Sequence, residues 1–353
     1  MMKNLEKEIR EQPVTLAQVR STNDAALKAL IADIKAYGVD NVYISARGTS
    51  DHASIYFQYL LGVYVGVPAA LATPSVVTAY NGKLKFKNAL VIGVSQSGAA
   101  ADALEIVRRG NESGAITVAV TNNLDSPLAK EAKHHLYCGV GKETSIAATK
   151  TFTAQLLLLG YFAAYWADCK ELLDALDKVP AAVGTLLDYQ PDKVLEMVKR
   201  YRFLDNAVVL GRGYNYPIAL EGALKILETN RVRMKGYPIS DFHHGPIAQV
   251  HENDLSIVIA AKGPVLGDAK TIIEKLHGVG SEVLIISDDE ETLALSKYNL
   301  RLPDIDVEAP ATPDVVSVFT AAVTMQLMAC KLTDIRDVDP DASKVLNKVT
   351  ITK

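Results

Sequence analysis

The 353-residue sequence predicts an α/β protein: two doubly wound parallel-sheet domains in tandem, a pseudo-duplication preceded by an N-terminal helical segment and closed by a C-terminal tail. Three observations predict it. Short β-branched apolar runs alternate with longer helix-like stretches, which is the pattern of βαβ units around a parallel sheet covered on both faces. The same order of runs recurs in the second half. Landmarks also hold a nearly fixed offset: Arg47-Gly48 recurs as Arg212-Gly213 and Gly98 as Gly263, each 165 residues on, and Thr121 recurs as Ser287 one residue later.

Taken in order, residues 1–30 read as the N-terminal helical segment, charged from Met1 to Arg10 and without the apolar stretch of a signal peptide. The first domain, 31–170, offers strands at Asn41–Ala46, Ala69–Ala72, Ala89–Val94, Ala115–Val120 and His135–Gly139, with a helix pattern at Ala101–Arg109. Its last element, Thr151–Ala167, is the longest uncharged run. It contains Gln155 and several small residues, falls short of a membrane span, and reads as a helix buried on all sides in the core or a subunit interface. A helical connector, 171–195, carries Pro180 and Pro191. The second domain, 196–338, repeats the strands at Asn206–Leu210, Val232–Gly236, Leu255–Ala260, Glu282–Ile286 and Asn299–Leu302, with a helix at Ile218–Thr229. The tail, 339–353, is read as packing over the active site.

Composition narrows the function. Residues are 49% hydrophobic and 22% charged, as in a globular enzyme, and 37 basic against 41 acidic side chains give a net charge of −4. No broad positive surface advertises nucleic acid, so any bound anion must be gripped by local donors. Cys138, Cys169 and Cys330 are odd in number, far apart and without metal spacing, which fits reduced thiols in a cytoplasm. Neither a membrane partner nor a metal or other cofactor is expected.

In open α/β sheets ligands sit at the carboxyl ends of the strands. There the first copy reads Ser95-Gln96-Ser97-Gly98 before a helix, so hydroxyls, an amide and helix N-terminal N–H groups can converge on a phosphate. The alternative is an ordinary turn with a serine cap. The second copy reads Ala260-Ala261-Lys262-Gly263, without the serines, and so looks released for another task. Glu221, Lys225 and Glu228, spaced i, i+4 and i+7, share one helix face. Alone, such a stripe is usually a solvated face. Asp241-Phe242-His243-His244-Gly245-Pro246 follows, however, and a carboxylate with a nearby histidine is the minimal kit for moving a proton between adjacent carbons and opening a hemiacetal. A metal site at His243, His244 and His251 lacks ligand spacing. In the tail, Lys348 could present an amine to a carbonyl or phosphate.

The ordered segments ARGTSDHA, SQSG, KETSIAATKTFTAQL, GRGYNYPIALEGALKILE, HHGPIA and LNKVT strongly resemble the double sugar-isomerase-domain (SIS) proteins: the isomerase half of glucosamine-6-phosphate synthase and its shorter relatives. The likeness runs from about Ile31 to the C-terminus. It implies that Thr49, Ser50, Ser95, Gln96 and Ser97 bind a sugar phosphate and that Glu228 is the base shuttling a proton between C1 and C2. It further implies that His244 opens the sugar ring from a neighbouring subunit, that Lys225 lies near the enediol oxygens, and that Lys348 can form a Schiff base with an open-chain ketose. A homodimer with shared sites would follow. Ala99, Ala100 and Ala148 stand where the synthases carry polar residues.

The synthases make ammonia with an N-terminal glutaminase half that begins with a catalytic cysteine. Here no cysteine precedes Cys138. The expectation is therefore amine release: glucosamine 6-phosphate to fructose 6-phosphate and ammonia. The rivals are a deglycase of fructoselysine or glucoselysine 6-phosphate, a plain phosphosugar isomerase, and a non-catalytic sugar-phosphate sensor.

Overall fold

The computed structural model describes residues 3–342 and Lys348. They divide into two compact domains, one comprising 14–143, 150–173 and 348, the other 3–13, 144–149 and 174–342.

The first domain holds β1 (Asn41–Ser45), β2 (Ala69–Leu71), β3 (Ala89–Ser95), β4 (Ile116–Thr121) and β5 (His134–Tyr137) in the order β2-β1-β3-β4-β5, all parallel. The second holds β6 (Asn206–Gly211), β7 (Arg233–Pro238), β8 (Leu255–Ile259), β9 (Glu282–Ser287) and β10 (Tyr298–Arg301) in the equivalent order β7-β6-β8-β9-β10, again all parallel. The duplication read from the 165-residue offset is thus a duplication of topology. Central strands are buried at every position, as in Ala89–Ser95 and Leu255–Ile259, which is why they appear in the sequence as continuous apolar runs without alternation. All ten strands lie within one or two residues of their predicted runs. The largest differences are at β7, which runs on to Pro238, and at β5, which ends at Tyr137 because Gly139, at φ +68°, turns the chain away.

Each sheet is flanked by helices: α1 (Asn4–Arg10), α2 (Val19–Tyr37), α3 (Thr49–Leu60), α4 (Ala101–Glu112), α5 (Lys150–Ala167), α6 (Val179–Val198), α7 (Asn215–Asn230), α8 (Leu266–Val279) and α9 (Asp314–Ile335). In the first domain α5 is buried from Lys150 to Ala164, as its all-round apolar composition predicts. It packs on α3 through Phe57 and Phe162, whose ring centroids are 5.1 Å apart. Burying each such ring contributes roughly 1.5–3 kcal/mol. In the second domain α9 plays the same part. By length and composition it could cross a membrane, yet 94% of its apolar window is buried within the protein, which is what a core helix requires. Pro180 sits in the first turn of α6 and Pro191 inside it, where the ring removes one backbone donor from an otherwise continuous helix.

Residues 144–149 belong to the second domain through two carboxylates. Glu8 of α1, only 3% exposed, accepts hydrogen bonds from the Thr144 and Ser145 backbone N–H groups and, at 2.9 Å, from the Thr144 hydroxyl. Asp341 accepts from the Ser145 hydroxyl at 2.8 Å and the Ile146 N–H at 2.9 Å. Of the LNKVT motif, Leu346, Asn347, Val349 and Thr350 lie outside the described residues, as do Met1, Met2, 343–345 and 351–353. The reading of 339–353 as a tail over the active site therefore falls largely outside them.

Candidate functional site

In the first sheet β1 has β2 on one side and β3 on the other, and register places Ser45 beside Gly93. The chain leaves these two strands in opposite directions, so the turns after them flank the crevice where such sheets take ligands. After β1 comes Gly48 at φ +54° and the first turn of α3, with Thr49 half-buried and Ser50 buried. After β3 come Ser95, Gln96, Ser97 and Gly98, and then α4. Gly98, at φ +64°, makes this turn possible, since a Cβ there would lie 2.1 Å from the Ser126 Oγ. The Gly98 N–H donates to the Ser95 Oγ at 3.2 Å and the Ala99 N–H to the Ser97 Oγ at 3.3 Å, which leaves each serine's own proton to donate. Ala99 is exposed and Ala100 and Ala148 half-buried; none adds a polar side chain.

Sequence reasoning missed the supports of this turn. Arg47 grips Asp102, in the first turn of α4, through Nε at 2.9 Å and Nη2 at 2.6 Å, tying the two ligand-side turns together. The second domain repeats the pair as Arg212 and Asp268, 2.6 Å apart. The pair is thus common to both copies, whereas the serines occur in the first alone. Asn122, after β4, donates its backbone N–H to the Gln96 carbonyl at 2.9 Å. Its side chain donates to the Gly141 carbonyl at 2.7 Å and accepts from the Val140 N–H at 3.2 Å, fixing the loop that leads to Glu143. The Glu143 side chain is fully buried and accepts from the Thr151 N–H at 3.1 Å, the Thr151 hydroxyl at 2.6 Å and Lys348 Nζ at 2.8 Å. Lys348 is therefore an ion-paired amine in this domain. Asn122 and Glu143 stood in the sequence as unremarkable polar residues of turns; only the repeat of Arg–Asp could have been found from the offset.

In the second domain the helix stripe is no solvated face. On α7, Glu221 and Lys225 are each 2% exposed. Lys225 Nζ lies 3.4 Å from Glu221 Oε1 and 2.5 Å from Glu228 Oε2. Burial alone would lower the Lys225 pKa, but the two carboxylates reverse this and raise it above its ordinary value, so the amine stays cationic. The Glu228 side chain is 20% exposed, so it is the member of the trio that solvent or a ligand can reach. His243 and His244 follow a short helical turn, Ile239–Phe242. The His243 ring is 3.3 Å from Lys275 Nζ, and burial together with this cation lowers its pKa. His244 is exposed and joined to the fold by its backbone N–H, which donates to the Asp241 carbonyl.

The second copy's counterpart of the serine turn is filled from within. The Lys262 N–H, 165 residues after Ser97, donates to Asp288 Oδ1 at 2.7 Å, and the Ser317 hydroxyl donates to Asp288 Oδ2 at 2.7 Å. A Cβ on Gly263 would lie 2.5 Å from the Asp314 carboxyl carbon. Among the described residues no three histidine, cysteine or acidic side chains are grouped to hold a metal ion.

Two copies of one doubly wound domain, with a hydroxyl-lined turn in one and a carboxylate–amine helix in the other, define a tandem α/β protein whose polar chemistry is divided between its repeats. The chain belongs to the SIS domain family, which matches residues 37–165 and 204–335. It is 34% identical over 353 residues to the glutamine–fructose-6-phosphate aminotransferase (isomerizing) of Aquifex aeolicus, covering 98% of this chain and 57% of the relative. This chain thus spans little more than half the length of that protein. Among solved structures it resembles the C-terminal domain of glucosamine-fructose-6-phosphate aminotransferase from Francisella tularensis, with a TM-score of 0.85 at 23% identity over 97% of this chain and 98% of that one. It also resembles the glucosamine-6-phosphate deaminase of Thermotoga maritima, with a TM-score of 0.78 at 22% identity over 99% of this chain and 100% of that one. At these identities the two structures speak for the fold.

Proposed function

We propose that the chain is a phosphosugar isomerase that releases an amine, converting glucosamine 6-phosphate and water to fructose 6-phosphate and ammonia. The observation that carries the reading is the buried cation Lys225 held between Glu221 and the accessible Glu228: a carboxylate poised beside a fixed positive charge can take a proton from carbon while that charge stabilises the oxyanion or enolamine that results. The isomerizing activity in the name of the Aquifex relative, 34% identical, supports the same class of substrate.

In this reading Thr49, Ser50, Ser95, Gln96 and Ser97 anchor the phosphate, and His244, contributed by a second copy in a homodimer, assists ring opening. Glu228 removes the C2 proton of the open-chain aldehyde and returns it to C1, so the enolamine becomes a C2 imine. Water adds to that imine and ammonia leaves. Lys348 offers its amine near an open-chain carbonyl once it parts from Glu143. Burial pushes the Cys138 and Cys330 thiols up to about 12 and raises that of Cys169, so none of the three is a ready thiolate nucleophile in this reading.

The test is ammonia release from glucosamine 6-phosphate, N-acetylglucosamine 6-phosphate, fructoselysine 6-phosphate and glucoselysine 6-phosphate. Release from the first alone is the expected result. Activity on the lysine adducts alone would make the protein a deglycase, aldose–ketose interconversion without ammonia a plain isomerase, and binding without turnover a sensor. Glu228→Gln should cut turnover about a hundredfold or more while fructose 6-phosphate binding changes little. Near-normal turnover would remove Glu228 from the role.

A further inference from the structure

Gln155 is an amide in the middle of an apolar core helix. Its neighbours on α5 are Ala154, Leu156, Leu157, Leu158 and Leu159, and its side chain is 1% exposed. Gln155 Nε2 donates to the Ser50 Oγ at 3.1 Å, whereas Gln155 Oε1 is buried and meets no hydrogen-bond donor among the described residues. An unpaired buried carbonyl oxygen is costly in free energy, and a leucine of nearly the same volume would avoid that cost. Rules of core composition broken without local compensation point to functional positions.

The hydroxyl that Gln155 addresses shows what the amide does. A serine hydroxyl has one proton to donate and two lone pairs. With an N–H from Gln155 seated on a lone pair of Ser50 Oγ, the hydroxyl is occupied as an acceptor from the core side, and its proton is turned away from α5. Ser50 stands in the first turn of α3, on the strand-end crevice of the first sheet. We infer that Gln155 is a positioning residue for anion binding: it polarises Ser50 as a donor aimed at the ligand phosphate, so that a fixed dipole meets the anion without reorganisation. The reverse arrangement, with the amide oxygen accepting from Ser50, would spend the serine's only proton on the core.

The inference rests on the phosphate reading of Ser50 and is separable from it. The experiment measures the affinity of the full chain for fructose 6-phosphate by calorimetry in Ser50→Ala, Gln155→Met, Gln155→Glu and the Ser50→Ala/Gln155→Met double variant, with thermal melts of each. Gln155→Met, of similar volume and apolar, should weaken binding about five- to tenfold. Gln155→Glu, whose ionised form can only accept from Ser50 and adds negative charge, should weaken it further as rising pH ionises the buried carboxyl, even though its melting temperature need not follow that order. In the Ser50→Ala background Gln155→Met should have no additional effect. If Ser50→Ala leaves affinity unchanged, the phosphate reading of Ser50 fails. If Ser50→Ala weakens binding but Gln155→Met binds like the unaltered chain, or its effect persists undiminished in the double variant, the positioning role is overturned.

Discussion

Lys225 illustrates how a single side chain can be legible in type and illegible in state. Its spacing to Glu221 and Glu228 was plain in the sequence, but an i, i+4, i+7 charge stripe is the ordinary dress of a solvated helix face. What makes it a site is that α9 covers the helix, as seen where Asn230 of α7 donates to the Ala329 carbonyl at 2.9 Å, and no local pattern announces that cover. Removing the amine should therefore be expensive: Lys225→Met leaves Glu221 buried without its cation, and we expect a loss of about 3–5 kcal/mol in a denaturant melt. The pH dependence follows from the sign of the shift. A lysine whose pKa is raised in the folded state contributes stability that is fully present below its ordinary value of 10.5 and is lost only above it. Because that contribution is intact across this range, the stability gap between Lys225→Met and the unaltered chain should not close between about pH 7 and about pH 9, and a gap closing within that window would contradict the assignment. Asn122, Glu143 and Gln155 were harder still to read, because their roles depend on partners that only the folded chain brings near.

At the scale of elements, the strands were the most legible part of the molecule. A parallel sheet covered on both faces needs uninterrupted apolar runs, and Ala89–Ser95, Ile116–Thr121 and Leu255–Ile259 are buried at every residue. The turns after the strands were half legible. The serines of the first copy declare a donor-lined turn, but the alanines of the second copy do not reveal that carboxylates from the turn after β9 and from the start of α9 fill the space. Asp314 begins α9, where the helix dipole favours an anion. Burial nonetheless raises its pKa, and repulsion from Asp288 adds to the rise. A carboxyl whose pKa is raised on folding binds its proton more tightly in the native state, so stability falls as pH climbs upward from the ordinary value of 3.8. Asp314→Asn, which can still accept from Thr312, should melt at a higher temperature than the unaltered chain at neutral pH, with the advantage fading as the pH falls toward about 4 and absent below it. A lower melting temperature at neutral pH would show that the charge is needed there.

For the whole molecule, the two copies make a quantitative statement. Both have the strand order and the Arg–Asp pair, but one lines its turn with the Ser95 and Ser97 hydroxyls and the other has its Lys262 N–H already engaged by Asp288. Calorimetric titration with fructose 6-phosphate should therefore give one phosphoester site per chain, and two equivalent sites would refute the view that the second turn is closed. The tandem organisation itself was readable from three landmarks and their spacing. The membership of residues 3–13 and 144–149 in the second domain was not, because it depends on Glu8 and Asp341, each binding a loop far from it in sequence.

The repeated pair of Arg47 with Asp102 and Arg212 with Asp268 carries a lesson of another kind. Duplicated genes drift apart under different demands, and what both descendants keep marks the part neither could discard. This clasp is common to a copy whose turn is lined by serines and a copy whose turn is filled by carboxylates. It therefore serves as a fingerprint of descent that is blind to chemistry: an arginine just after the first strand and an aspartate one turn into the helix after the third. A search keyed to that clasp would find relatives whose reactive groups have all been replaced, and it would tell apart kinship of scaffold from kinship of reaction.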